Sequence, residues 1–102
     1  MARSPDALVQ DFLRAQNLEQ IGRIDEAVEL YEAIVAEKFD AAGPYDRLIW
    51  IYQSKGAHRD VIRVAEASIE LVHTYPEKLE WYRAQIKRAK EALGSLPEAR
   101  ER

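Results

Sequence analysis

The residues able to carry proton transfer, nucleophilic attack or metal binding are few in this chain. His58 and His73 are its two histidines, fifteen positions apart. On one helix that spacing sets them near opposite ends, not at the i, i+4 interval that brings two imidazoles to one metal ion. Serine occurs at Ser4, Ser54, Ser68 and Ser95, none in the glycine-flanked elbow that exposes a nucleophile. The absence of cysteine excludes a thiol nucleophile, a disulfide framework and a cysteine zinc site, and fits a reducing compartment. Neither an HExxH motif nor a glycine-rich phosphate loop is present. Carboxylates such as Glu29 and Glu32 have the spacing of a solvated helix face and not of an acid–base pair. The sequence predicts no enzyme, no metal and no cofactor.

Charge narrows the partners. Residues 1–50 carry ten acidic against five basic side chains, and residues 51–102 carry eight against ten. A net charge of −3 with this mild asymmetry is too weak for a nucleic-acid footprint, and Lys87, Arg88 and Lys90 read as a solvated helix face. The N-terminal "MARSPDALVQ" has no apolar run of the signal-peptide kind. No segment approaches the roughly 20 apolar residues that span a bilayer. The expectation is a soluble, cytoplasmic protein that binds neither membrane nor nucleic acid.

These side chains must be positioned by helices, for strand signals are almost absent. Ser4, Pro5 and Asp6 form an N-cap, a first-turn proline and a dipole-complementing acid, and Leu8, Phe12, Ala15 and Leu18 follow at helical spacing. A first helix over about 5–21 ends at Gly22, suited to the left-handed conformation of a helix terminus. A second, over about 24–38, opens on Asp25 and Glu26 and buries Ala27, Val28, Tyr31, Ile34 and Val35. Asp40, Gly43 and Pro44 mark a turn and restart. The third helix ends near Lys55 and carries Tyr45, Leu48, Ile49 and Tyr52. The fourth, over about 58–74, buries Val61, Ala65, Ser68, Ile69 and Val72. Pro76 breaks it and opens a fifth over about 77–93, with Leu79, Tyr82, Ile86, Ala89 and Leu93 in one stripe. Residues 1–94 form a single domain and 95–102 a frayed tail.

A shift of 34 residues superposes Gly22 on Gly56, Leu18 on Tyr52, Ala27 on Val61, Val28 on Ile62 and Val35 on Ile69. This pattern resembles the tetratricopeptide repeat family, whose unit is an antiparallel helix pair of about this length. The repeats cover about 8–41 and 42–75, and the fifth helix is similar to the family's capping helix. Ala15, Leu18, Ala27 and Tyr31 match the small, large, small and aromatic sites of the first copy. Tyr45, Leu48 and Tyr52 match the first helix of the second. Asp11 and Arg14 depart from the family's large apolar residues, as suits a terminal helix with no preceding repeat to cover. Val61 and Ala65 depart from its small-then-aromatic pair, and His73 stands where a proline is common. The resemblance implies an all-α fold of five helices, a short right-handed superhelical array of antiparallel pairs.

It also implies a non-catalytic adaptor that docks a peptide or helix of a partner protein in a concave groove. By position the groove contains Val9, Phe12, Gln16 and Glu19 from the first helix and Asp46, Trp50 and Gln53 from the third, with Glu80, Ala84 and Lys87 closing its far end. The family's peptide-carboxylate clamp is absent, because Phe12, Gln16 and Trp50 occupy its first three positions. Glu19, Asp46 and Glu80 would line this groove negatively, favouring a ligand with apolar anchors flanked by basic residues. Trp50 is either an interface anchor or core, since "LIWIY" is apolar throughout. Trp81, off the main stripe of the fifth helix, is either packed structurally or a homodimer contact. The alternative function is accordingly a self-associating structural module; the chain is a monomer in the first reading and a homodimer in the second.

Overall fold

A computed structural model describes residues 4–73 and 76–94. They form five helices, α1 (Pro5–Gln20), α2 (Ile24–Ala36), α3 (Ala42–Ser54), α4 (His58–Leu71) and α5 (Lys78–Gly94), and among the described residues there is no strand. The expected tail 95–102 and the end of the fourth helix at Thr74 lie outside the described residues.

The start of α1 follows from its first residues. The Ser4 hydroxyl accepts a hydrogen bond from the Ala7 amide at 3.2 Å, and Pro5 occupies the first turn, where no amide is needed. The α1–α2 turn closes with Gly22 at φ +86°, its amide donating to the Glu19 carbonyl while that of Arg23 donates to Leu18. Thirty-four residues later the geometry recurs: Gly56 has φ +69°, its amide donates to Gln53, and that of Ala57 donates to Tyr52. Both are the paired bonds that end a helix on a left-handed glycine.

Two helix ends differ from the sequence expectation, those of α2 and α4, and the start of α3 is fixed by the structure. Helix α2 stops at Ala36, because Lys38 takes a left-handed φ of 59° and its amide turns back to the Val35 carbonyl. Helix α3 starts at Ala42, so that Gly43 and Pro44 lie within its first turn, where proline costs no helical hydrogen bond. Gly43 has a packing reason as well: a Cβ there would stand 2.6 Å from Cζ of Phe12. Helix α4 ends at Leu71, since Val72 is extended at ψ 111°.

Each helix packs on its chain neighbour, α1 on α2, α2 on α3, α3 on α4 and α4 on α5. One core runs the length of the molecule through Ala15, Ala27, Tyr31, Tyr45, Leu48, Ile49, Val61, Val64, Ala65 and Tyr82. Fully buried residues such as Ile34, Leu48 and Ile49 each contribute about 1.5–3 kcal/mol of apolar transfer. Leu18 and Tyr52, equivalent in the repeat, are both half-buried against this core, and Ala27 and Val61 are both fully buried. Ile69 and Ile86 are partly buried. The overall extents are 46 × 31 × 24 Å, an elongated shape.

Candidate functional site

Alternate helices are joined by side chains, and three of these junctions share one chemistry. Between α1 and α3, Glu19 accepts from the Tyr31 hydroxyl at 2.8 Å and from Nε of Arg47 at 3.1 Å. Between α2 and α4, Glu32 accepts from the Tyr52 hydroxyl and from Nη2 of Arg63 at 2.7 Å. Between α3 and α5, Asp46 accepts from the Tyr82 hydroxyl at 2.9 Å and from Nζ of Lys78 at 2.6 Å. In each, a tyrosine whose ring is in or against the core delivers its polar end to a carboxylate that also holds a cation. Burying the ring while satisfying the hydroxyl is what a tyrosine at such a depth requires.

The ionisation of these groups follows from that arrangement. The Arg47 hydrogen bond holds the Glu19 carboxyl below its ordinary range against the opposing effect of burial, with Tyr31 assisting. Burial, then the adjacent carboxylate, pushes the hydroxyls of Tyr31, Tyr52 and Tyr82 well above the ordinary phenol value. Burial with the charge of Asp40 nearby raises that of Tyr45 to about 12.

The open face of α3 lies between two such seams. With 3.6 residues per turn, Gly43 and Trp50 share one line along the helix, with Arg47 and Ser54 on the side toward α1 and Asp46 and Gln53 on the side toward α5. The seam to α1 is the Glu19–Arg47 pair. The seam to α5 is Asp46–Lys78, extended by Nε2 of Gln53 donating to Oε1 of Gln85 at 2.5 Å. Trp50 stands between them 58% exposed, so it is not a core residue. Beside it lies a shallow depression of about 270 Å³ lined by Glu19, Ile24, Arg47, Trp50, Ile51 and Ser54. A second depression of about 290 Å³, between Gln16, Glu19, Gln20 and Arg47, shares the ion pair as its wall.

The remaining groove residues expected from sequence are distributed around this face. On α1, Val9 is exposed, Gln16 is half-buried, and Phe12 packs on Tyr31 with ring centroids 5.9 Å apart. On α5, Glu80, Ala84 and Lys87 are exposed, and Glu80 pairs with Arg83 within its own helix. The side chains of α5 that bond to α3 are Lys78, Tyr82 and Gln85. Of the acids expected to line the groove, Glu19 pairs with Arg47 and Asp46 with Lys78, while Glu80 pairs with Arg83 and stays largely exposed. Trp81 is half-buried, edge-on to Tyr82 at 5.5 Å, with Nζ of Lys78 4.6 Å from its ring centroid.

Leu13, exposed on α1, is a further apolar residue that the sequence reading missed; its i, i+4 spacing from Val9, which sets the two on one side of the helix, is the signal that finds it. Three of the serines have structural uses. Ser4 caps α1, and the hydroxyls of Ser54 and Ser68 donate to the carbonyls of Ile51 and Ala65. His73 is exposed and its backbone amide donates to Asp40. Among the described residues no helix is long and apolar enough to cross a membrane. Comparison with protein-family models, with curated proteins and with solved structures found no match.

Proposed function

We propose that this chain is a non-catalytic interaction module, a tetratricopeptide-like array of helix pairs that docks a peptide or helix of a partner protein on the open face of α1, α3 and α5. The observation that carries this reading is the exposure of Trp50 between two closed polar seams. A large rigid ring held on a rigid helix loses little rotamer entropy on binding and removes much apolar area from water. Val9 and Leu13, 44% and 52% exposed, add apolar area on α1. The recurrence of turn geometry at 34 residues supports the helix-pair array, and with it the superhelical arrangement in which first helices share one side. A cytoplasmic setting accords with the cysteine-free composition.

The test is selection of phage-displayed random dodecapeptides on the immobilised protein, with counter-selection on Trp50→Ala. The reading expects a pool held by the wild type and not by the variant. A pool held equally by both removes Trp50 from the site.

The same exposed residues support a second reading, self-association through Val9, Leu13 and Trp50. Light scattering across a concentration range separates the two, a stable dimer favouring self-association and a monomer favouring docking.

A further inference from the structure

On the α5 side of α3, a cavity of about 290 Å³ is lined by Gln53, His58, Val61, Gln85, Arg88 and Ala89. Gln53 lies three residues, about one turn, past Trp50 on α3, so one docked segment reaches both places. The volume is at the lower limit for a small-molecule pocket and suits a single side chain.

Among the described residues the lining combines Gln53, His58, Gln85 and Arg88 with Val61 and Ala89 and contains no carboxylate. Gln85, 3% exposed, is fixed in this wall: its Oε1 accepts from Gln53 at 2.5 Å, its Nε2 donates to the Trp81 carbonyl at 3.2 Å, and Nη1 of Arg88 reaches the same Oε1 at 3.5 Å. That single long contact leaves most of the five guanidinium donors of Arg88 directed elsewhere. The contrast with the two seams is direct, for the cations there, Arg47 and Lys78, are each matched by a carboxylate.

We infer that this cavity receives an acidic side chain of the peptide docked on Trp50, its carboxylate held by Arg88 with the His58 imidazole and the Gln53 and Gln85 amides around it. A guanidinium–carboxylate bond is charge-assisted and forks naturally, and a basic side chain at the same place would meet Arg88 as a like charge. The preferred ligand is therefore an apolar anchor followed by an aspartate or glutamate, the reverse of the basic flanks expected from sequence. The inference rests on the docking reading above.

The experiment is the dodecapeptide selection repeated on Arg88→Glu, an exposed position at which the melting curve checks that the fold is kept. The expected result is a wild-type pool enriched in Asp or Glu at a fixed spacing from an apolar anchor, and a variant pool in which Lys or Arg replaces it. A synthetic peptide from the first pool should bind Arg88→Glu at least about tenfold more weakly. A Trp50-dependent pool without acidic enrichment, or identical pools on both proteins, overturns this inference and leaves the docking reading standing. Failure to obtain any pool that Trp50→Ala loses overturns both.

Discussion

The two helix pairs have nearly the same turn and different interiors. Arg23 and Ala57, which open the second helix of each pair, have φ, ψ of −88°, 66° and −85°, 69°. Yet α2 buries Tyr31 where α4 buries Ala65, thirty-four residues on, and both are fully enclosed. Equal burial of such unequal volumes requires that something else fill the second site. On α4 the small residues Ala65 and Ser68 share one face, and Tyr82 arrives there from α5, with Ser68 and Tyr45 around its hydroxyl. The first pair supplies its own aromatic ring; the second takes one from the following helix. The backbone period is strict because it is set by glycine dihedrals and local hydrogen bonds, whereas core volume is conserved only in sum, and neighbouring helices can exchange it.

The largest effect expected from this difference comes from the rings. Tyr31→Ala removes a fully buried side chain and should cost about 3–5 kcal/mol in chemical denaturation. Ala65→Tyr, which makes the second copy resemble the first, should also destabilise, by about 1–3 kcal/mol, because Tyr82 already occupies the space. A neutral or stabilising Ala65→Tyr would show that the site is not filled from α5.

Smaller and more symmetrical changes are expected at the turns. A Cβ at Gly22 or Gly56 meets nothing within 4 Å, so alanine at either position carries only the backbone cost of the left-handed conformation, about 1–2 kcal/mol. Thermal melts of the two variants should agree within about 0.5 kcal/mol, as expected for independent copies of one turn. A cost confined to one of them would break the equivalence of the pairs.

The smallest effect distinguishes the seams by pH. Glu19 has a folded-state pKa below its ordinary value of 4.5, so its contribution to stability is complete above that value and is lost as pH falls through the lowered folded value. Acid titration of stability should therefore be shallower in Glu19→Gln than in the wild type on the acidic limb. An unchanged slope would mean that the α1–α3 seam is open in solution.

What could be read from the sequence was local or periodic. Ser4 as a cap, Gly22 as a left-handed terminus and the stripe Ala27, Tyr31, Ile34, Val35 each depend on residues within two turns of one another. The seams depend on partners brought together only by packing: Glu19 with Arg47, Asp46 with Lys78, Gln53 with Gln85, each about thirty residues apart. A charged residue on a helix carries no mark of whether water or a distant arginine will pair with it, and for that reason the partners of Glu19 and Asp46 were not legible in the sequence. Gln85 was invisible as a buried residue because its polar side chain fits burial only once Gln53 and the Trp81 carbonyl are in place. Gly43 read as a turn signal, while its packing use, admitting the ring of Phe12, needs two helices to be seen.

The central claim, that Trp50 anchors a partner and does not hold the fold, is tested most directly by calorimetric titration of one selected dodecapeptide into the wild type and into Trp50→Ala, with melting curves of both proteins. The account predicts a loss of about 2 kcal/mol or more in binding, roughly thirtyfold in affinity, at a nearly unchanged melting temperature. Equal affinities, or a large fall in melting temperature accompanying the lost binding, would contradict it.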